Sequence, residues 1–128
     1  MKEITLGMMA TATTTVSEHN IAGTMKSGDL PVFATPAMCA LMEEAAKTAV
    51  LPALKEGEGT VGISLGISHD SPSPMGTTIT ATATVTQVDG KKITFSIEAS
   101  DGTRRIGKGS HERFVIDNEK FMAKLNQR

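Results

Sequence analysis

Three histidines, His19, His69 and His111, are the side chains of this chain whose ordinary titration falls near neutral pH. His69 closes an alternating apolar stretch, in phase with Val61, Ile63, Leu65 and Ile67, just before Asp70-Ser71-Pro72. There it is either a satisfied structural residue or a base aimed into a pocket. His111 stands in Gly107-Lys108-Gly109-Ser110-His111-Glu112-Arg113 and shares strand phase with Gly107, Gly109 and Arg113. The glycines would let a ligand or another chain come close to the backbone; the alternative is an exposed strand face. His19 lies in a polar segment and carries little signal.

Glu43 has Cys39 at i−4, Ala46 at i+3 and Val50 at i+7, so its flank of a helix is small or apolar. A partly desolvated carboxylate there is a usable base or nucleophile; the alternative is a surface pair with Lys47 at i+4. Thr35 reads as a helix N-cap, a place that also offers N–H donors to a developing oxyanion. Eight helical residues separate it from Glu43, about 12 Å of rise, so the two cannot hydrogen-bond directly within one regular helix. They can touch different parts of one ligand or meet across a dimer interface. Cys39 reads as a small hydrophobe. The chain has no phosphate loop, nucleophile elbow or metal-ligand spacing.

The elements that must position these groups follow from periodicity. A first strand is predicted over about Thr5–Val16, and Ser17–Leu30 reads as loop. Thr35-Pro36 opens one strong helix through Ala37–Leu51, with Met38, Leu41, Met42, Ala45 and Ala49 on its buried face. Pro52, Gly57 and Gly59 end that segment. Period-two alternation then marks strands at Val61–Ser68, Ile79–Val85, Ile93–Ala99 and Arg104–Ile116. Asp89-Gly90 and Asp101-Gly102 are hairpin turns. Asn118–Leu125 is a short amphipathic helix. One long helix with a sheet of sequential hairpins is an α+β plan, a sheet wrapped round a central helix.

Composition bounds the function. The 128 residues suit a single domain spanning residues 1–128. Aromatics are 3%, with no Trp or Tyr, and net charge is −1, so stacking on nucleic acid is not expected. Residues 101–128 carry seven Lys/Arg against four Asp/Glu. That basic third is either a face for an anionic ligand or a solvated strand and tail. A lone cysteine excludes an intrachain disulfide and fits a reducing compartment. No signal peptide or membrane span is expected, and the expected location is cytoplasmic.

Several stretches, taken together and in this order, resemble the fluoroacetyl-CoA thioesterase-like family: Val32-Phe33-Ala34-Thr35-Pro36-Ala37-Met38 into Leu41-Met42-Glu43, Gly57-Glu58-Gly59-Thr60-Val61-Gly62, Ile67-Ser68-His69, Ile106 to Arg113, and Glu119-Lys120-Phe121. The resemblance implies a hotdog fold, an obligate homodimer or a tetramer, and hydrolysis of acyl-CoA thioesters. It implies a catalytic set on Thr35, Glu43 and His69, with Gly62 contacting the acyl end through its backbone and Arg113 lining the same pocket. No metal is implied, and no cofactor beyond the coenzyme A of the substrate. The specialised fluoroacetyl enzyme has a phenylalanine gate shortly before Val-Phe-Ala-Thr. Here that stretch is Gly28-Asp29-Leu30-Pro31. A small or medium acyl group without fluoroacetyl selectivity is therefore expected, with Lys91, Lys92 or Arg105 near the CoA phosphates. A hotdog protein that binds acyl-CoA without turnover is the alternative. A hydratase is disfavoured, because no Asp-x4-His pair is present.

Overall fold

Ile79, Ala81, Ala83 and Val85 on one strand, and Ile93, Phe95, Ile97 and Ala99 on the next, are at most 2% exposed. Their threonine, serine and glutamate neighbours face the other way, as period-two alternation requires. The computed structural model describes residues 3–127, so Met1, Lys2 and Arg128, the ends of the expected domain, lie outside it. Five strands, β1 (Met9–Thr15), β2 (Glu58–His69), β3 (Thr78–Asp89), β4 (Lys92–Ser100) and β5 (Arg105–Asp117), form one antiparallel sheet in the order β1-β3-β4-β5-β2. The sheet curls round helix α2 (Thr35–Val50). A short helix α1 (Ala22–Met25) precedes α2, and α3 (Asn118–Asn126) follows β5.

Helix α2 buries Met38, Leu41, Met42, Ala45 and Ala49, the expected face, and adds Ala46 and Val50. Alanines on both sides of the interface, Ala45 and Ala49 on the helix with Ala12, Ala81 and Ala83 on the sheet, belong to one core with Phe33 and Phe95. Small side chains let helix and sheet approach closely while the two rings fill the remaining volume. Pro52 has no N–H to continue the α ladder, and the chain leaves α2 through a 3-10 turn at Leu51–Ala53.

Four details depart from expectation. The first strand is shorter, beginning at Met9. Part of Ser17–Leu30 is helical: Ala22–Met25 makes one turn, ended by Lys26 at φ 60°. Thr35 is not the N-cap. Ala34 is the extended flanking residue, Thr35 is already helical, and its hydroxyl caps nothing.

The fourth lies in β2, where the register with β5 shifts between Gly62 and Ser64. Thr60 and Gly62 stand opposite Val115 and Arg113, whereas Leu65, Ile67 and His69 stand opposite His111, Gly109 and Gly107. Directly opposed residues share a face, so the inward set is Thr60, Gly62, Leu65, Ile67 and His69. Unbroken alternation from Val61 to His69 is wrong because the bulge at Ile63 inserts one residue and exchanges the faces.

Two β5 glycines permit the close approach at the far end of β2. A Cβ on Gly107 would lie 2.7 Å from both Met38 Cε and the Ser68 carbonyl oxygen, and one on Gly109 would run into the Gly66 carbonyl oxygen. The curl therefore depends on bare backbone beside Ile67 and His69. Gly109→Ala is expected to cost about 1–3 kcal/mol through overpacking against backbone that cannot rotate away. Urea unfolding measures this, and an unchanged midpoint would contradict the packing argument.

Candidate active site

The expected site residues fall into two clusters. The first joins the start of α2 to the end of β2. Thr35 Oγ1 and His69 Nδ1 are 2.8 Å apart, a hydrogen bond between the first helical turn and the last strand residue. Met38, one turn further along α2, fills the space over Gly107, the residue opposite His69. This packing holds the strand end against the helix start. His69 Nε2 is enclosed and makes no hydrogen bond. Burial pushes the His69 pKa below its ordinary value, against the opposing pull of the Asp70 carboxylate and the Ser71 backbone. The imidazole is thus neutral at pH 7 and able to accept a proton. An open cleft of about 260 Å³ lies beside the pair, bounded by Val32, Phe33, Asp70, Ser71 and Pro72.

The second cluster lies two turns along α2. Glu43 Oε2 is 3.5 Å from Arg113 Nη1, so its ion pair runs to β5 and not to Lys47. The Glu43 side chain remains 44% exposed, so the apolar flank alone does not desolvate it. Arg113 is only 6% exposed. It donates from Nε to Thr60 Oγ1 at 2.8 Å and from Nη2 to the Thr60 carbonyl at 2.9 Å. Burial lowers its pKa and the Glu43 carboxylate opposes that shift; a guanidinium stays cationic regardless. Gly62 stands over the ion pair, where a Cβ would come within 2.7 Å of Glu43 Oε2 and 3.5 Å of Arg113 Nη1.

Thr35 and His69 are thus brought together, as are Glu43, Gly62 and Arg113. Among the described residues no hydrogen bond links one cluster to the other, in line with the helical rise between Thr35 and Glu43. Cys39, one turn from Glu43, is partly buried, and burial with the Glu43 charge pushes its thiol pKa up. That keeps it protonated and unsuited to nucleophilic attack.

Two members of the second cluster escape a reading of the residues alone. His111 is 1% exposed, so the exposed-face alternative is excluded; its phase with Gly107, Gly109 and Arg113 was legible, its burial was not. Thr60 supplies two acceptors to Arg113, and nothing in the period of β2 marks it, because the bulge sets which residues face inward. Of the basic residues expected near CoA phosphates, Lys92 pairs with Glu112 at 3.6 Å and Arg105 with Glu98 at 3.9 Å.

Residues 16–119 match the profile of a family described as fluoroacetyl-CoA-specific thioesterase. A fluoroacetyl-CoA thioesterase of Streptantibioticus cattleyicolor is 43% identical over 97 residues, covering 76% of this chain and 70% of that protein. The solved structure of a fluoroacetyl-CoA thioesterase superposes with a TM-score of 0.92 at 34% identity, covering 99% of this chain and 98% of that one. A hypothetical protein of Thermus thermophilus, a thioesterase superfamily member, gives 0.90 at 26% identity, covering 99% and 94%. With residues 16–119 matched and the same sheet wrapped round the same helix, the chain belongs to the fluoroacetyl-CoA-specific thioesterase family and is a hotdog-fold thioester hydrolase.

Proposed function

We propose that the chain hydrolyses small or medium acyl-CoA thioesters without selectivity for fluoroacetyl, as a homodimer in the cytoplasm, using Thr35, Glu43 and His69. The observation that carries this reading is the Thr35–His69 hydrogen bond at the mouth of a cleft, at the start of the helix that also carries Glu43. A variant of the related thioesterase has been solved in complex with acetyl-CoA, which supports a small acyl group here. No phenylalanine stands in Gly28-Asp29-Leu30-Pro31, and Leu30 is 65% exposed, which supports an ungated pocket. The lone cysteine fits a reducing cytoplasm, and among the described residues no helix is long and apolar enough to cross a membrane.

What the single chain leaves open supports homodimerisation. The chain exposes 7540 Å², against about 6,500 Å² for a monomer of this mass. Strand β2 is a twelve-residue edge with Ile63 51% exposed, and long apolar edges are normally paired or covered. About 12 Å of helix separates Thr35 from Glu43, and we place the reacting thioester between the Thr35–His69 pair of one subunit and Glu43 of the partner subunit.

The Thr35 hydroxyl and the free N–H groups of the first helical turn polarise the thioester carbonyl. Glu43 either attacks the carbonyl carbon, giving an acyl anhydride and CoA thiolate that water then resolves, or deprotonates the attacking water. His69, neutral at rest, takes up a proton released from the attacking water and passes it to the departing thiolate or back to water. Gly62 contacts the acyl end through its backbone, and Arg113 lines that end and fixes the Glu43 carboxylate. Water is the only co-reactant, and coenzyme A leaves as product.

Thiol release from a panel of acyl-CoAs, from acetyl to long-chain and aromatic, tests the reading. Glu43→Gln should lower kcat by about 10²–10⁴-fold with the fold unchanged, and wild-type turnover in that variant removes Glu43 from the mechanism. The pH profile is a second check. A histidine with lowered pKa stays neutral to lower pH and loses activity only below that value. The acid limb of kcat/KM due to His69 should therefore lie below 6.5. A limb above that value would contradict the assignment of His69.

A further inference from the structure

His111 is fully buried in the second cluster, and the mechanism above leaves it unused. Its two ring nitrogens have unequal partners. Nδ1 is 2.7 Å from the Ser64 carbonyl oxygen. A carbonyl only accepts, so Nδ1 carries the proton. Nε2 is 3.2 Å from Arg113 Nη1. A guanidinium only donates, so Nε2 must be the unprotonated acceptor. The two contacts together admit one state, the neutral Nδ1–H tautomer.

That state has a consequence for Arg113. Its Nε and Nη2 are held by Thr60, and Nη1 lies between His111 Nε2 and Glu43 Oε2. With one Nη1 hydrogen on the imidazole, the planar guanidinium cannot turn, and the other points to the carboxylate. The bulge after Gly62 takes part, because the shifted register brings the Ser64 carbonyl to His111 while leaving Gly62 over the ion pair. The Phe95 ring stacks on the imidazole with centroids 6.0 Å apart and fixes its plane.

We infer that His111 is a positioning residue, which orients Arg113 so that the guanidinium sets the Glu43 carboxylate for reaction. This rests on the reading of Glu43 given above. The charged groups around the imidazole are Glu43 on α2 and Arg113 and Glu112 on its own strand; Glu112 pairs with Lys92. Ser64 on β2 and Phe95 on β4 bring no charge. Protonation of Nε2 would set donor against donor and cation against cation at 3.2 Å. Burial and the Arg113 charge both oppose it, outweighing the contrary pull of the Ser64 carbonyl and the two carboxylates.

Three substitutions separate positioning from packing. His111→Gln can place an oxygen near the site of Nε2 and keep the acceptor for Arg113. His111→Asn can keep the donor to Ser64 and lose that acceptor. His111→Leu loses both. Positioning predicts kcat/KM lower by about 10²-fold in His111→Asn and His111→Leu, as for a misplaced catalytic group, with most of the loss recovered in His111→Gln. A packing role instead predicts activity that follows the melting temperature of each variant, measured alongside. In the wild type, ¹⁵N spectra at pH 7 and above should show Nε2 unprotonated and Nδ1 protonated. Wild-type activity in His111→Asn, a loss in His111→Gln equal to that in His111→Leu, or a protonated Nε2 at pH 7 would each overturn the inference. Glu43→Gln assayed beside them distinguishes the two claims. If it is inactive while the His111 variants are fully active, only the inference falls; if it is fully active, the underlying reading falls with it.

Discussion

A guanidinium that is 6% exposed must have its N–H groups satisfied by the protein, and this requirement organises one half of the sheet. Arg113 obtains its partners from three elements: Thr60 on β2, His111 on its own strand and Glu43 on α2. Each constrains something else. Thr60 must face inward, His111 must be neutral with its proton on Nδ1, and the carboxylate must sit where Gly62 leaves room. A side chain at Gly62 would press on the carboxylate, so the missing Cβ is part of the arrangement. Removing a partner from a buried charge typically costs more than an exposed ion pair contributes, which makes this cluster a rigid platform for the Glu43 carboxylate.

The other half depends on backbone proximity. Gly107 and Gly109 let β2 come close, Met38 fills the gap above Gly107, and His69 arrives within hydrogen-bond distance of Thr35. One helix thus carries a hydroxyl at its start and a carboxylate two turns later, each fixed by a different part of the same β2–β5 ladder. The ladder changes face at Ile63, between the two fixed points. That bulge allows the inward residues to be Thr60 and Gly62 on one side and Leu65, Ile67 and His69 on the other.

Much of this was legible in the sequence. The apolar stripe Met38, Leu41, Met42, Ala45 and Ala49 marked the buried helix face, and the alternation at Ile79–Val85 and Ile93–Ala99 marked the sheet interior, because burial on one side enforces those periods. The helix entry, the glycine pair and His-Glu-Arg at 111–113 together pointed to the family. What escaped was set by tertiary contacts. Period two cannot reveal a bulge, since one inserted residue leaves the local pattern apolar on either phase. Thr35 satisfies the composition rule for a cap, yet its hydroxyl is drawn to His69, a residue 34 positions away. The partnership of Glu43 with Arg113 rather than Lys47 likewise depends on where β5 passes the helix.

In the proposed dimer each reaction runs between a Thr35–His69 pair on one subunit and a Glu43–Arg113 pair on the other. Subunit complementation tests this most directly. Glu43→Gln and His69→Asn chains, each inactive alone, are unfolded together, refolded as a mixture and assayed for thiol release. A site shared between subunits predicts recovery of about a quarter of wild-type activity, since half the dimers are mixed and each has one intact site of two. A mixture as inactive as its components, with mixed dimers shown to form, would contradict a shared site.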